Sequence, residues 1–247
     1  MDRLIYTAAS GAKHIMEQQA TTANNLANVT STGFRKQIDS FRAVPIVADG
    51  TLPTRAFVVD ATVGADFTEG PIQQTGRPLD VAVNGQGWLA VQAADGSEAY
   101  TRNGNLVTDQ NGMLQTSSGQ LVLGDSGPIA IPPDVTVSIA SDGTIGTVSN
   151  LTSPAQSQVL GRLKLANPSS KTLVRGDDGL FRTQDGTPAP VDQAVTVTSG
   201  ALEGSNVNPV DSMVDMIGLA RQFETQMNLL KNAENNAAKA TQILTLS

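Results

Sequence analysis

Apolar residues recur at helical intervals near both ends of this 247-residue chain. Near the start the apolar and small positions alternate in steps of four and three, at Met1, Ile5, Ala8, Ala12, Ile15, Gln19, Thr22, Leu26 and Val29. Near the end they recur every seven residues, at Met216, Phe223, Leu230, Ala237 and Leu244, with Ala220 and Met227 four residues after the first two. Heptad spacing of this kind predicts two long helices, each with a narrow apolar stripe.

Local signals indicate where these helices end and begin. Gly33 is a helix stop, so the first helical segment covers residues 1–33. Asn208 is a suitable N-cap and Pro209 a suitable first helical residue, so the second segment covers residues 209–247, with its helix over about 209–245. At 1.5 Å per residue the two helices are about 45 and about 55 Å long, which predicts packing against other helices.

The middle of the chain loses the helical period and alternates apolar with polar residues, as half-buried strands do. Asn-Gly and Asp-Gly pairs suited to tight hairpins separate these stretches, at Asn84-Gly85, Asp95-Gly96, Asn103-Gly104, Asn111-Gly112, Asp142-Gly143, Asp178-Gly179 and Asp185-Gly186. The pattern predicts a central antiparallel β domain over residues 76–200, an extended connector over 34–75 and a hinge over 201–208. The predicted fold class is α+β, with long N- and C-terminal helices forming a coiled-coil-like layer around a central antiparallel all-β domain.

Composition excludes several classes of function. The chain has no cysteine, which rules out disulfides, thiolate metal sites and cysteine nucleophiles. A net charge of -7 disfavours binding to nucleic acid. No apolar run approaches the roughly 20 residues that span a bilayer, and the first residues lack the pattern of a cleaved signal peptide, so we expect neither membrane insertion nor general secretion.

The residues offer no convincing catalytic constellation. His14 is the only histidine and lies far in sequence from any acidic or hydroxyl cluster. Gly85-Gln86-Gly87 lacks the third glycine and following helix of a phosphate loop, and the aspartates around Gly179 lack the ligand spacing of a calcium loop. We therefore expect no catalytic residue, cofactor or metal site, and an assembly role in place of an enzymatic one.

Three motifs resemble those of the flagellar rod and hook axial proteins, in family order and across nearly the whole chain. They are Ala23-Asn24-Asn25-Leu26-Ala27-Asn28-Val29-Thr30-Ser31-Thr32-Gly33-Phe34; Leu79 to Trp88 followed by Tyr100-Thr101-Arg102-Asn103-Gly104; and Leu202-Glu203-Gly204-Ser205-Asn206-Val207-Asn208-Pro209-Val210. The resemblance implies a structural subunit of the proximal rod in the bacterial flagellar basal body, the drive shaft that transmits torque. It also implies terminal helices in an inner tube and a β domain in an outer layer.

The same resemblance implies partners and location. The partners would be other rod subunits, alike and different, and the flagellar type III export apparatus, with the rod lying in the periplasm. Two sets of residues carry this hypothesis. The assembly interface is expected at Ile5, Ala8, Ala12, Ile15, Leu26, Met216, Phe223, Met227, Leu230 and Leu244. The signature and hinge residues are Asn25, Leu26, Asn28, Gly33, Phe34, Gly204, Asn208 and Pro209.

Alternatives remain open from the sequence. One is the distal rod protein of the same family. Another is a secreted β-rich binding module, which should show an exposed aromatic platform, whereas the single Trp88 lies in an alternating strand typical of a core. A third is a hydrolase whose site the motifs do not reveal, which a broad substrate screen would detect.

Overall fold

A computed structural model describes the backbone of residues 2–45, 56–149 and 157–245. The chain folds as two compact units, each built from segments that are distant in sequence. The helical unit comprises Met1–Asn28, Gln37–Ala65 and Val207–Ser247, and the β unit comprises Val29–Lys36 and Asp66–Asn206. The α+β class predicted from the sequence is confirmed.

The helical unit contains helix α1 (Asp2–Ala27) and helix α2 (Pro209–Thr245). Helix α1 ends six residues before Gly33, earlier than predicted, so Val29 lies outside it. The reason is local: the Asn28 side-chain Nδ2 donates to the carbonyl oxygen of Asn24 at 2.9 Å, so a carbonyl group of the last helical turn has a hydrogen-bond partner. Within the part of the chain that the structure describes, neither helix is long and apolar enough to cross a membrane.

The two helices pack against each other along the predicted stripe of α1. Ala8, Ala12 and Ile15 are buried there, and Leu26 is half-buried. In α2 the less exposed positions follow steps of four and three through Ser212, Met216, Leu219, Phe223, Gln226, Leu230 and Ala233. The side chains of Ile5 and Leu244 lie outside the described residues.

Met227 departs from its predicted place on the stripe, since it is 46% exposed while the neighbouring Gln226 is half-buried. Gln226 lies against Gly11 of α1, where a β-carbon would stand 3.4 Å from its Cδ atom. Because Gly11 has no side chain, there is room for Gln226 next to it, at a position that the apolar pattern did not predict.

The segment predicted as an extended connector contains an antiparallel hairpin of strands β1 (Gln37–Pro45) and β2 (Ala56–Ala65). Their register joins Gln37 to Ala65 and Pro45 to Ala56, with a shift between Ser40 and Phe41. The hairpin packs on α1, where the Thr21 hydroxyl donates to Asp39 Oδ1 at 2.7 Å. The prediction missed this pairing because apolar and polar residues alternate only weakly in this segment. The strands are held together by the backbone hydrogen bonds between them.

The β unit consists of short strands. In chain order they are β3 (Ile72–Gln74), β4 (Val81–Asn84), β5 (Trp88–Gln92), β6 (Glu98–Thr101), β7 (Leu106–Thr108), β8 (Leu114–Thr116), β9 (Leu121–Gly124), β10 (Gly127–Pro128), β11 (Val135–Ile139), β12 (Thr144–Ser149), β13 (Ser157–Arg162), β14 (Leu165–Ala166), β15 (Leu173–Arg175), β16 (Phe181–Thr183), β17 (Thr196–Ser199) and β18 (Ala201–Glu203).

The strands pair in antiparallel fashion, as predicted. The largest sheet has the order β15-β16-β6-β5-β9-β8-β7, with β10 on β9 and β14 on β5. Smaller sheets are β11-β12-β13, β17-β4 and β18-β3. One apolar core joins the largest sheet with β11-β12-β13 and β17-β4, and its fully buried residues include Val81, Leu89, Val91, Leu106, Leu114, Val122, Ile145, Leu163 and Leu165.

Six of the seven predicted turn glycines have the positive φ that tight hairpin turns require, at 85, 96, 112, 143, 179 and 186. Gly104 does not. A β-carbon at Gly104 would stand 1.6 Å from the carbonyl oxygen of Val81, so close backbone approach explains this glycine.

The β unit extends beyond the predicted limits of 76–200. At its start, β3 begins at Ile72, and at its end β18 continues to Glu203. The two strands pair with each other, Ala201 with Gln74 and Glu203 with Ile72. Part of the predicted hinge is therefore a strand of the β unit.

Candidate functional site: a buried ion cluster and an exposed helical face

Three charged side chains meet inside the β unit, two from the motifs and one from the residue that follows the N-terminal motif. Arg35 follows Gly33-Phe34, Arg102 belongs to the central motif, and Glu203 ends β18. Arg35 Nη2 lies 2.8 Å from Glu203 Oε1, and Arg102 Nη1 lies 2.9 Å from Glu203 Oε2. The three side chains are 0%, 3% and 2% exposed, so the cluster is isolated from water. We call Arg35, Arg102 and Glu203 the buried ion cluster.

Backbone groups complete the cluster. Glu203 Oε1 accepts a hydrogen bond from the Gly70 N–H at 2.9 Å. Arg102 Nη1 donates to the carbonyl oxygen of Val83 at 2.9 Å and Nη2 donates to that of Gly85. Arg35 Nη1 donates to the carbonyl oxygen of Thr68 at 2.5 Å. These carbonyl acceptors orient both guanidinium groups towards the one carboxylate.

The charges in the cluster are unequal, with two cations around one anion. Burial lowers the pKa of Arg102, Glu203 opposes this effect, and the neighbouring Arg35 adds to it. The Nε atoms of Arg35 and Arg102 have no hydrogen-bond partner among the described residues. Glu203 therefore stabilises two buried cations at once.

Gly33 brings the N-terminal signature against the cluster. Its N–H donates to the carbonyl oxygen of Glu203 at 2.8 Å, and its φ is +67°. A β-carbon at this position would stand 2.2 Å from the carbonyl carbon of Arg102. Both the backbone conformation and the contact therefore require glycine.

Phe34 is buried beside the cluster under a third arginine. The Arg175 guanidinium carbon lies 4.6 Å from the centre of the Phe34 ring, close enough for a cation–π contact. Arg175 Nη1 also donates to the carbonyl oxygen of Arg35 at 3.2 Å, and burial lowers the pKa of Arg175. Phe34 thus anchors the signature segment in the β unit.

Asn206 joins two separate segments of the β unit. Its Oδ1 accepts from the Lys36 N–H at 2.7 Å, and its Nδ2 donates to the carbonyl oxygens of Asp66 at 2.9 Å and Thr68 at 3.0 Å. Both the acceptor oxygen and the donor nitrogen of the amide are used in this arrangement. The segment after β18 is consequently held by specific bonds.

Asn25 performs a similar role in the helical unit. It is buried, its Oδ1 accepts from the Gln37 N–H at 2.8 Å, and its Nδ2 donates to the Gln37 carbonyl oxygen at 2.9 Å. The side chain therefore pairs with the first residue of β1 as a neighbouring strand would. This contact gives the predicted signature residue a physical role.

The predicted start of α2 is confirmed. Asn208 Oδ1 accepts from the Val210 N–H at 3.0 Å and from the Asp211 N–H at 3.4 Å, which is the N-cap arrangement, and Pro209 is the first helical residue.

Gly204 differs from the prediction, because its φ is not among the positive values. Its N–H donates to the carbonyl oxygen of Pro71 at 2.8 Å. The close approach there is set by Gly70, where a β-carbon would stand 2.1 Å from the carbonyl oxygen of Gly204. A β-carbon at Gly204 would stand 3.3 Å from the carbonyl oxygen of Pro71, which is a tight contact, and no left-handed backbone is involved.

Replacing Asn208 with Ala is expected to lower the free energy of unfolding of the helical unit by about 1 kcal/mol, since the first N–H groups of α2 lose their acceptor. The measurement is urea unfolding followed by far-ultraviolet circular dichroism. Gln222→Ala, at an exposed position within α2, is the matched control and should change stability by less than about 0.5 kcal/mol. Equal losses in the two variants would show that the cap contributes nothing.

A second apolar face of α2 was missed from the sequence. Val210, Met213, Val214 and Ile217 are each more than half exposed. Their spacing of three, four and seven residues places them on one side of the helix. At 100° per residue the centre of this side lies about 130° around the helix from the midpoint of Ser212 and Met216, which are among the less exposed positions of α2. We call these four residues the outer face of α2.

The structure also shows the surroundings of other residues that the sequence analysis singled out. Trp88 is buried between Phe67 and Phe181, at ring distances of 5.9 and 4.7 Å, and is therefore a core residue. His14 Nδ1 lies 3.1 Å from Glu17 Oε2 on the same helix. Within the described residues, no group of three or more His, Asp or Glu side chains is arranged to hold a metal ion.

The buried ion cluster was present in the motifs but had no assigned role. The signal that could have found it was that Arg102 and Glu203 are the charged residues in otherwise uncharged segments of the β unit. Charged residues are seldom fully buried unless they are paired. Sequence alone does not identify the partners, since Arg35 and Glu203 are distant in the chain.

Comparison with known proteins agrees with the three motifs. Residues 5–35 match the family profile "Flagella basal body rod protein", residues 82–147 match "Flagellar hook protein FlgE/F/G D1 domain" and residues 198–243 match "Flagellar basal body rod FlgEFG protein C-terminal". The chain is 49% identical over 257 aligned residues to the flagellar basal-body rod protein FlgF of Escherichia coli, with 100% of both chains covered.

Other relatives are more distant. The FlgF protein of Caulobacter vibrioides is 33% identical, with 99% of this chain and 98% of that protein covered. The flagellar basal-body rod protein FlgG of Agrobacterium fabrum is 29% identical, with 96% and 97% covered. The motifs, the full-length coverage and the identity together show that this chain belongs to the FlgF family of flagellar basal-body rod proteins, whose members are structural proteins and not enzymes.

Proposed function

We propose that the protein is a structural subunit of the proximal rod and transmits torque through packed helical faces. The observation that carries this proposal is that α2 has apolar side chains on two different sides. One side packs on α1, and the outer face is exposed. A helix that is apolar on both sides is typically enclosed by neighbours.

The outer face has the composition of a packing surface. Its four residues lie within two turns at the start of α2. Asn208 caps this end of the helix. Burying four such side chains against a neighbour removes apolar area from water, at about 1.5–3 kcal/mol for each fully buried side chain. We infer that helices of adjacent axial subunits cover this face.

The two units have different parts in this proposal. The terminal helices form the inner, coiled-coil-like layer of the rod, and the β unit forms the outer layer. In support, the β unit has its own core and buried ion cluster, and among the described residues eight of the twelve exposed large apolar side chains belong to the helical unit. Torque is then carried from subunit to subunit by side-chain packing, without turnover of any substrate.

We also propose that the flagellar type III apparatus exports the chain and that the rod lies in the periplasm. Absence of cysteine fits this route, because no thiol has to be kept from oxidation on the way. The ordering cost of the helices is offset when neighbours cover them at assembly.

A charge on the outer face tests the proposal. Val214→Asp should abolish motility and complete rods in a strain that lacks its own copy, because an unpaired carboxylate would be buried between helices. The free subunit should fold normally, as position 214 is 62% exposed, with unchanged circular dichroism and Trp88 fluorescence.

Gln222→Asp introduces the same charge at an exposed polar position further along α2 and should leave rod assembly intact. Basal bodies would be isolated and their rods counted by electron microscopy. Complete rods and normal motility with Val214→Asp would contradict the proposal that the outer face packs in the rod.

A further inference from the structure

Exposed methionines are concentrated on the helices. Of the six methionines in the sequence, Met16 on α1 is 58% exposed, and Met213 and Met227 on α2 are 53% and 46% exposed. Met113 in the β unit and Met216 on the packed side of α2 are half-buried. A contiguous exposed apolar patch marks an interaction surface, whereas single exposed apolar residues are normal on a protein surface.

Met213 differs from the other exposed methionines in its surroundings. It is one of the four residues of the outer face, between Val210 and Val214 along the helix and one turn before Ile217. These neighbours are aliphatic and offer no side-chain hydrogen-bond donor. A polar group at position 213 would therefore lack a donor on its own face once a neighbouring helix covered it.

We propose that Met213 is a site of reversible oxidation, and that its sulfoxide form keeps a subunit out of the rod. The second part of this proposal rests on the proposed function. The oxidant is a peroxide of the hydrogen peroxide class. The thioether sulfur attacks one peroxide oxygen, an S–O bond forms while the O–O bond breaks, and the other oxygen leaves as water with both protons. Sulfur is oxidised and peroxide is reduced.

The sulfoxide blocks packing for a physical reason. Oxidation converts a flexible apolar side chain into a polar one with a strong acceptor oxygen. In the free subunit that oxygen is hydrated, so the fold is unaffected. In the rod it would be buried among aliphatic side chains without a donor, which disfavours docking. Methionine sulfoxide reductases reverse the oxidation and return the subunit to its competent form.

Peroxide mapping of the purified full chain tests the site. Hydrogen peroxide would be added and sulfoxide at each methionine quantified over time by mass spectrometry of peptides. We expect Met213 to oxidise at least about 3-fold faster than Met113 and Met216, because half-burial restricts access of peroxide to their sulfur atoms, and the difference to vanish in denaturant. Oxidation of Met113 or Met216 at the rate of Met213 in the folded chain would overturn the site assignment.

Substitution tests the consequence for assembly. Met213→Gln imitates the polarity of the sulfoxide and should reduce complete rods at least about 10-fold, whereas Met213→Leu keeps the face apolar and should assemble normally. Met16→Gln, at an exposed methionine outside the outer face, is the matched control and should also assemble. Normal rods with Met213→Gln, or equal losses with Met213→Leu, would overturn the proposed effect of oxidation.

Isolated basal bodies provide a third measurement. In them Met213 should be protected from peroxide at least about 10-fold relative to the purified subunit, and equal reactivity in the two states would overturn its burial in the rod. The mapping on the purified chain does not depend on assembly. Failure of the proposed function would thus appear as normal rods with Val214→Asp, even where Met213 proved to be the oxidised site.

Discussion

Replacing Glu203 with Gln is expected to lower the free energy of unfolding of the β unit by about 3 to 5 kcal/mol, because two buried guanidinium groups lose their only anionic partner in the cluster. Arg35 and Arg102 lie 2.8 and 2.9 Å from the carboxylate, and the three side chains are almost fully buried. Glutamine keeps the shape of the side chain but replaces one acceptor oxygen with an NH2 donor, so the loss reports on the charge and that acceptor together.

The measurement uses a reporter that the chain already contains. Trp88 is the only tryptophan, it is buried, and the Arg102 guanidinium carbon lies 5.5 Å from its ring centre. Urea unfolding of the full chain followed by Trp88 fluorescence therefore reports on the β unit near the cluster. The variant should unfold at a markedly lower urea concentration with a similar slope.

Asp178→Asn is the matched control for a lost carboxylate. Asp178 Oδ2 lies 2.6 Å from Arg182 Nη2, but the aspartate and arginine side chains are 39% and 29% exposed. The Arg182 hydrogen bonds lower the pKa of Asp178, and water screens most of their effect on stability. We expect a loss below about 1 kcal/mol. A loss as large as that of Glu203→Gln would mean that burial does not set the strength of the cluster.

Replacing Gly33 with Ala is the second change with a large expected effect, about 3 kcal/mol or more in the free energy of unfolding of the β unit. Two costs add at this position. A non-glycine residue is strained at a φ of +67°, and the new β-carbon would stand 2.2 Å from the carbonyl carbon of Arg102. Backbone atoms form the obstacle, so relief requires the segment to move away from Glu203.

Gly186→Ala separates the two costs. Gly186 has a φ of +69°, almost the same as Gly33, and no atom lies within 4 Å of the position that a β-carbon would take there. Only the conformational cost of about 1–2 kcal/mol is expected at this residue. Trp88 fluorescence serves for both variants. Equal losses would show that the segment at Gly33 shifts freely and that its contact with Arg102 is unimportant.

These two predictions concern one place in the β unit, and that place explains why three sequence motifs occur together. Gly33 donates its N–H to the backbone of Glu203, and Arg102 binds the side chain of the same residue. The end of the N-terminal signature, the central motif and the segment before α2 therefore meet within the β unit.

Local rules were sufficient for much of the chain. The heptad spacing predicted both helices, Asn208 and Pro209 predicted the start of α2, and the Asn-Gly and Asp-Gly pairs predicted hairpin turns. Each of these signals acts within a few residues, through backbone conformation or the bonds of a single helical turn. The motifs likewise identified the family without any knowledge of the fold.

Packing between distant segments decided the rest. Gln226 takes the place expected for Met227 because it faces Gly11, a residue near the opposite end of the chain. The hairpin forms because strands β1 and β2 pair with each other, although neither strand has a strong apolar–polar alternation on its own.

The sequence by itself determined the two helices, the antiparallel strands of the central segment, most of its turns and the family, because those properties depend on neighbouring residues. Only the tertiary structure decided that Arg35, Arg102 and Glu203 share one buried site, and that the outer face of α2 is left exposed while another side of the helix packs on α1. Charge pairing and burial depend on which side chains meet in space, and a linear pattern does not contain that information.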